Sequence, residues 1–148
     1  MVFAIAFTEE PAFAWEGYGD LHRWGFTILG DDAERFAAPL GYWDEDAYKA
    51  QWKQGVQRLV DGAETSCLIT RMEEPGDGQV AQFWELYRLD DEIVAVHDRL
   101  WVPDFGGLQP GAVYEAVEPY RRESEDGVLL SEWRLPLSDF ADYLADQS

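Results

Sequence analysis

The sequence predicts an α+β fold, in which one long amphipathic helix at about 44–61 and a short C-terminal helix pack on a mainly antiparallel β-sheet. Three observations lead to this prediction. Residues 42–62 carry a helical apolar stripe with signals at both ends. Two β-type runs, 79–89 and 92–102, flank a short polar turn. The length of 148 residues suits a single domain, 1–148, that buries a core without disulfides or metals.

The N-terminal part predicts two strands and a short helical segment. Residues 2–7 alternate aromatic and small apolar side chains, which is typical of a short buried strand. Residues 22–29 place three large apolar side chains on one face and predict a second strand. Residues 31–38 begin with two aspartates that could cap a helix, and their apolar residues fall at helical offsets. We therefore expect one or two helical turns there, ended by Pro39 and Gly41.

The long helix has a predicted start and a predicted stop. Asp44 is placed to cap its N-terminus, and Gly62 is a plausible stop one residue beyond its C-terminus. Acidic residues follow the cap and basic residues lie toward the other end, so side-chain charge and helix dipole agree. The apolar stripe along one face consists of Tyr48, Trp52, Val56, Leu59 and Val60.

The middle of the chain predicts three strands. Residues 65–72 alternate in the manner of a strand, and residues 73–78, EEPGDG, form a clear turn. The runs 79–89 and 92–102 are then most simply an antiparallel hairpin joined at Asp90-Asp91. We expect the two strands of this hairpin to form the centre of the sheet.

The C-terminal part predicts shorter elements. Residues 103–111 are rich in Gly and Pro and indicate a loop. Strands are expected at 113–117, 120–124 and 128–135, and Ser138 is expected to cap a last helix. The apolar side of that helix consists of Phe140, Ala141, Tyr143 and Leu144.

The charge of the chain limits the partners it can have. Thirty acidic residues against eleven basic ones give a formal net charge of −19. Nucleic acid and anionic membranes repel such a body, so direct nucleic-acid binding and membrane binding are not expected. Two interpretations remain open: the acidity only keeps the protein soluble, or a negative face meets a strongly positive partner.

The cellular compartment is predicted from cysteine usage and from the N-terminus. Cys67 is the single cysteine, so an intrachain disulfide and a cysteine-based zinc cage are excluded, and a reducing cytoplasm is expected. The opening MVFAIAF lacks a basic region and soon meets acidic residues, which argues against a signal peptide. No apolar run approaches the length of a membrane span.

Residues for catalysis are few, and we expect no enzyme, no cofactor and no metal. The two histidines, His22 and His97, fall in predicted strands, and Cys67 has no cationic neighbour in the sequence that would make it a thiolate. Metal-ligand spacings, nucleotide-binding glycine patterns and the P-loop are absent. The alternative is a small-molecule-binding or enzymatic domain, in which aromatic side chains of the hairpin line a pocket and His97 and Asp98 supply its polar groups.

A set of aromatic, glycine and charged positions forms a recognisable pattern. These positions are Arg23-Trp24-Gly25, Tyr42-Trp43, Asp46, Tyr48, Gln51-Trp52, Gly55, Arg58-Leu59 and Ser131-Glu132-Trp133. At these positions the chain resembles the immunity proteins of bacterial contact-dependent growth inhibition systems, the CdiI-like family. The resemblance implies an acidic cytoplasmic protein that binds a toxin domain delivered by a neighbouring cell, often a nuclease, and blocks it.

Composition and resemblance lead to one functional hypothesis. A nuclease carries lysines and arginines that hold phosphates, so an acidic inhibitor could occupy that surface and block it sterically and electrostatically. A second alternative shares the electrostatics: an acidic mimic of nucleic acid, or an adaptor for another basic protein. The predicted toxin-binding residues are exposed acids with one aromatic anchor: Asp31, Asp32, Glu34, Asp90, Asp91, Glu92, Asp98 and Trp101.

Overall fold

A computed structural model describes residues 2–14, 19–76, 78–101 and 107–147 and confirms the α+β class, with antiparallel sheets. Its elements in chain order are β1 (Phe3–Phe7), β2 (Phe13–Ala14), β3 (Leu21–Leu29), β4 (Asp32–Pro39), α1 (Glu45–Val60), β5 (Thr65–Met72), β6 (Ala81–Arg88), β7 (Ile93–Trp101), a 3-10 helix (Pro110–Ala116), β8 (Trp133–Pro136) and α2 (Leu137–Asp146). The strands form two four-stranded sheets, where the sequence predicts a single sheet.

The first sheet is built around β3. Strand β1 pairs with its second half, from Phe3 opposite Leu29, and β2 pairs with its start, both on the same edge. Strand β4 pairs along the other edge over its whole length. All of these pairings are antiparallel, and the side chains of Phe3, Ile5 and Leu29 point into the core.

Strand β4 replaces the helical turns predicted at 31–38, so that prediction is wrong. Gly30 has a φ of +68° and turns the chain back at once, which lets β4 pair with β3 from Leu29–Asp32 to His22–Pro39. Helix propensities differ by only tenths of a kcal/mol per residue, roughly, so a full ladder of strand hydrogen bonds and the burial of Phe36 decide the conformation.

The second sheet has the strand order β5-β6-β7-β8 and is antiparallel throughout. The predicted hairpin is confirmed as β6 and β7, with Ala81 opposite Trp101 and Glu85 opposite His97. These strands are the two central ones of their sheet, as expected. Strand β8 pairs with β7 only from Ile93 to Val96.

The segment between β7 and α2 differs from the sequence prediction. Residues 113–116 of the strand expected at 113–117 lie in the 3-10 helix, and of the strand expected at 128–135 only its end lies in β8. Residues 120–124 form no strand in the described structure, only the isolated bridge between Glu123 and Leu129. Leu129 is 70% exposed, so no second layer buries this segment, and apolar pattern alone does not extend a ladder there. Residues 102–106 of the predicted strand and loop lie outside the described residues.

The predicted N-terminal cap is confirmed for α1 and is wrong for α2. At α1 the Asp44 carboxylate accepts a hydrogen bond of 2.8 Å from the Ala47 N–H, and Gly62 has a φ of +112° just beyond the helix, so both predicted ends are confirmed. The predicted Ser138 cap is wrong, because α2 begins at Leu137, directly after β8. The Leu137 N–H donates to the Glu92 carbonyl at 2.6 Å, so tertiary pairing sets this helix start.

Helix α1 lies along the edge of β5 that does not pair with β6. The Gln51 side-chain amide donates to the Cys67 carbonyl at 2.8 Å and accepts from the Ile69 N–H at 2.7 Å. The Trp52 indole donates to the Ile69 carbonyl at 2.6 Å, and the Tyr48 hydroxyl accepts from the Met72 N–H at 3.1 Å. Three side chains at helical spacing therefore satisfy backbone groups that a neighbouring strand would otherwise pair.

Gly55 lets α1 approach β5 this closely. A Cβ atom at this position would lie 2.3 Å from the Cys67 carbonyl oxygen, which is far inside van der Waals contact. The Gly55 carbonyl in turn accepts a hydrogen bond of 2.7 Å from the Ser66 hydroxyl. The glycine that looks like a weak point of the helix is thus required for its packing.

Replacing Gly55 by Ala is expected to destabilise the protein by about 1–3 kcal/mol, because the added methyl group meets a backbone oxygen that cannot move without shifting β5. At an exposed helix position the same replacement stabilises by about 1 kcal/mol. Urea unfolding measures the difference, with Lys53→Ala on the exposed side of α1 as the control. An unfolding midpoint that rises in the Gly55 variant would contradict this account.

Candidate functional site

The structure brings four of the predicted acids together. Asp31, Asp32 and Glu34 come from the β3–β4 hairpin and Asp98 comes from β7, and all four are exposed. We call this group the acidic corner. The Trp84 indole on β6 donates to the Thr27 hydroxyl on β3 at 2.9 Å and so joins the two sheets. Trp84 is opposite Asp98 and Thr27 is opposite Glu34, so this bond places the two acids side by side.

The pKa of Asp98 is raised from its ordinary value, mainly by desolvation and to a smaller extent by a neighbouring acid. Desolvation by the surrounding chain raises this pKa, and the negative charge of Glu34 raises it further, against the hydrogen bonds that Asp98 accepts from Gln82 and from the Arg99 backbone. Asp32 has a different environment, since its carboxylate accepts a hydrogen bond of 2.8 Å from the Trp133 indole on β8. Asp32 therefore also helps to hold the two sheets together.

The other three predicted acids lie elsewhere, at the β6–β7 turn. We call Asp90, Asp91 and Glu92 the acidic turn. Asp91 is seven positions from Asp98, a separation of roughly 23 Å along a strand. The Asp90 carboxylate accepts from the N–H groups of Glu92 and Ile93, at 2.7 and 2.9 Å, so Asp90 fixes the turn. The Asp91 side chain is fully exposed. The predicted acids therefore form two separate groups.

The apolar residues at the end of β7, beside the acidic corner, lie on opposite faces of the strand. Trp101 is half-buried and packs against the core. Leu100 is 63% exposed and lies on the same face of β7 as Asp98. Sequence reasoning missed Leu100 and Trp133 as members of this surface. For Leu100 a signal was present, because the alternation along β7 places it two residues after an outward-facing acid.

Most of the described arginines interact with other residues of the same chain. In the described ranges, seven arginines pair with seven carboxylates, and Arg58 stacks over the Tyr114 ring at 4.0 Å. Among the described residues none of these pairs involves the acidic corner. The corner therefore presents carboxylates whose charge no described arginine neutralises, and it can attract a cationic partner.

A polar network surrounds His97 on the opposite face of the second sheet. The His97 Nε2–H donates to Glu132 at 2.8 Å, the Tyr120 hydroxyl donates to the same carboxylate at 2.7 Å, and Arg134 donates to it at 2.8 Å. Burial alone would raise the pKa of Glu132, but these hydrogen bonds outweigh it and lower the pKa to about 2. The network holds the end of the 118–132 segment against β7.

A cavity of about 390 Å³ lies beside this network, with Tyr87, His97, Glu118 and Leu130 in its wall. Its charged groups already pair with one another, since Arg99 donates to Glu85 at 3.3 Å and to Glu118 at 3.0 Å. Asp98 also borders the cavity, but its carboxylate bonds Gln82 beside Glu34, on the face of β7 away from the His97 imidazole. His97 and Asp98 thus both border the cavity, as the small-molecule alternative expects, but their side chains lie on opposite faces of β7.

The other two candidate catalytic side chains, Cys67 and His22, are buried in the fold. Burial raises the pKa of the Cys67 thiol to about 12, so the thiol stays protonated at neutral pH and is a poor nucleophile. The His22 ring is buried, with Nδ1 3.0 Å from the Asp20 carbonyl. Within the described residues, no three His, Cys, Asp or Glu side chains are grouped so that they could hold a metal ion.

The described helices include none whose length and apolar content would let it cross a membrane.

Replacing Glu132 by Gln is expected to reduce stability at neutral pH, with a difference from the parent protein that shrinks as the pH falls. The folded pKa is lowered, so the ionised carboxylate stabilises the fold above its ordinary pKa of 4.5 and loses this effect as the pH falls toward 2. Urea unfolding at several pH values between these limits measures the effect. Glu125→Gln, at an exposed position outside the network, should show no such convergence. A gap of constant size in the Glu132 variant would contradict the assignment.

Comparison with known proteins places this geometry in a family. The family model of the CdiI N-terminal domain matches residues 38–143, which is more than half of the chain. The immunity protein CdiI of Enterobacter cloacae is 25% identical over 125 residues, a match that covers 84% of this chain and 86% of that protein.

A solved structure agrees with the sequence match. The CdiA-CT/CdiI toxin and immunity complex from Enterobacter cloacae contains a chain that matches with a TM-score of 0.87 and 26% identity, covering 98% of this chain and 97% of that one. The resemblance seen in the aromatic and glycine positions is thereby confirmed. The chain belongs to the CdiI family of immunity proteins of contact-dependent growth inhibition.

Proposed function

We propose that this chain is an immunity protein that binds and neutralises a cognate CdiA C-terminal toxin domain. The observation that carries the proposal is the match, over nearly the whole length, to a chain of the CdiA-CT/CdiI toxin and immunity complex from Enterobacter cloacae. Neutralisation in this proposal comes from blocking the toxin surface and requires no catalysis by the chain. Its support is that His97, Cys67 and Glu132 are engaged in the fold.

We further propose that the toxin is basic and acts on nucleic acid. A protein that holds phosphates needs lysines and arginines on that surface, and a body of net charge −19 with an unneutralised acidic corner complements it. Binding would then be steered by charge over distances near the Debye length, about 8 Å at physiological salt. We place the protein in the cytoplasm, where an intracellular target of such a toxin would need protection.

The toxin-facing residues in this proposal are those of the acidic corner and the acidic turn. Leu100 is an apolar contact on the same face of β7 as Asp98, and the half-buried Trp101, on the other face, is the predicted aromatic anchor. Asp31 and Glu34 are the best probes, because they are exposed and make no described ion pair. Asp98 is also exposed and makes no described ion pair, but it accepts hydrogen bonds from Gln82 and the Arg99 backbone. Asp32 and Asp90 are poorer probes, since they also bond Trp133 and the turn backbone.

A binding experiment with the product of the adjacent toxin gene tests the proposal. Purified chain and toxin domain are mixed and analysed by surface plasmon resonance at several salt concentrations. We expect a stable complex whose association rate falls as salt increases, and protection of cells that express the toxin. No complex at low salt would overturn the proposed function. Binding of an unrelated basic protein equally well would favour the general acidic adaptor.

Neutralising the acidic corner with Asp31→Asn, Glu34→Gln and Asp98→Asn together is expected to slow association by roughly tenfold at low salt, with little change in dissociation, because peripheral charges act mainly on the encounter rate. The matched control removes three exposed charges elsewhere, with Glu115→Gln, Glu125→Gln and Asp126→Asn. If both triple variants slow association equally, net charge and not the corner governs the encounter.

A further inference from the structure

A groove of about 590 Å³ lies between the end of α1 and the start of α2, beside the acidic turn. Val60, Ile93, Pro136 and Leu137 contribute half-buried apolar surface to it. Ser138 and Ala141 line it on the α2 side, and because both side chains are small the helix does not fill the space. The groove is therefore apolar inside and open to solvent.

The walls of this groove are fixed by hydrogen bonds. The Leu137 N–H donates to the Glu92 carbonyl at 2.6 Å, which ties the first residue of α2 to the turn. Arg88 donates to the Leu59 carbonyl at 3.1 Å, which ties the base of the same turn to the end of α1. The Asp90 carboxylate holds the turn itself. A partner that enters the groove therefore does not need to order it first, which favours affinity.

Acidic residues border the groove on the side of the turn. Asp91 and Glu92 line its edge, and both are exposed. On the other side of the turn lies a polar recess of about 340 Å³, with Glu64 and Asp91 among its lining residues. Asp91 thus belongs to both spaces. An apolar recess with an acidic border suits a protein segment that carries an aliphatic or aromatic side chain next to a lysine or arginine.

We propose that this groove is the anchoring point for the toxin: it holds one apolar side chain of the toxin, and a basic residue of the same toxin segment joins Arg88, 3.5 Å away, as a partner of the exposed Asp91 carboxylate. This inference rests on the proposed function and deepens it. The acidic corner and the groove then have different roles. The corner attracts the basic partner, while the groove, where apolar surface is removed from water, retains it.

Two variants test the groove without changing the corner. Ala141→Trp fills the groove from an exposed position on α2, and Asp91→Lys reverses the charge at its border. Their matched controls are Ala50→Trp, which adds the same bulk at an exposed position on α1, and Asp126→Lys, which makes the same charge change at a distant exposed turn. Circular dichroism establishes that each variant is folded before binding is measured.

The probe is the purified product of the adjacent toxin gene, and the readout is the dissociation constant with its two rate constants. We expect both groove variants to weaken binding at least tenfold, Ala141→Trp mainly through faster dissociation, and both controls to stay within about twofold of the parent. Wild-type binding with unaffected groove variants would overturn the anchor and leave the proposed function standing. No binding by the wild type would overturn both. Should Ala141→Trp fail to fold, Asp91→Lys decides the matter, because the Asp91 side chain is fully exposed and its contact with Arg88, at 3.5 Å, lies at the surface.

Discussion

The structure depends on how α1 closes the edge of β5. Tyr48, Gln51 and Trp52 project from one side of the helix and satisfy N–H and C=O groups of the strand, while Gly55 removes the methyl group that would keep the two apart. This fixes the rotation of the helix and its position along the strand at once. The remaining apolar stripe of α1 is thereby directed into the core, where Phe7 packs against Trp52 with ring centroids 5.0 Å apart.

The relative placement of the two sheets then determines where the acidic groups lie. The Trp84–Thr27 and Trp133–Asp32 hydrogen bonds join the first sheet to the second at the acidic corner. The acidic turn belongs to the second sheet and is fixed instead by Asp90 and by the start of α2. The surface that the proposed interface uses is therefore a product of tertiary packing, while each acid by itself is an ordinary turn or strand residue.

The elements with strong periodicity could be predicted from the sequence, and those decided by partners in space could not. Helix α1 has a cap, a stripe and a stop, and β6 and β7 have a turn between two alternating runs, so local information is sufficient there. Strand β4 shows the limit: its helical offsets were real, but pairing with β3 and burial of Phe36 outweighed them. The strand predictions between residues 120 and 132 failed for the opposite reason, because the exposed apolar residues Val128 and Leu129 have no layer to cover.

The candidate site was predictable as residue types and not as a surface. Exposed acids could be selected from turns, yet the neighbourhood of Glu34 and Asp98 depends on which strands of two sheets meet. The division of the predicted acids between corner and turn could not be read from their spacing either. Likewise, His97 and Asp98 are adjacent in sequence, but their side chains point to opposite faces of β7.

Side chains of α1, and not another strand, cover the edge of β5, and this determines how the protein aggregates when it unfolds. If α1 detaches under heat or denaturant, an eight-residue strand edge with unpaired backbone groups becomes open to identical edges from other copies. The strong negative charge slows such encounters at low ionic strength, but salt screens it. Irreversible precipitation on heating should therefore become more pronounced in concentrated salt, even though charge repulsion keeps the native molecules apart.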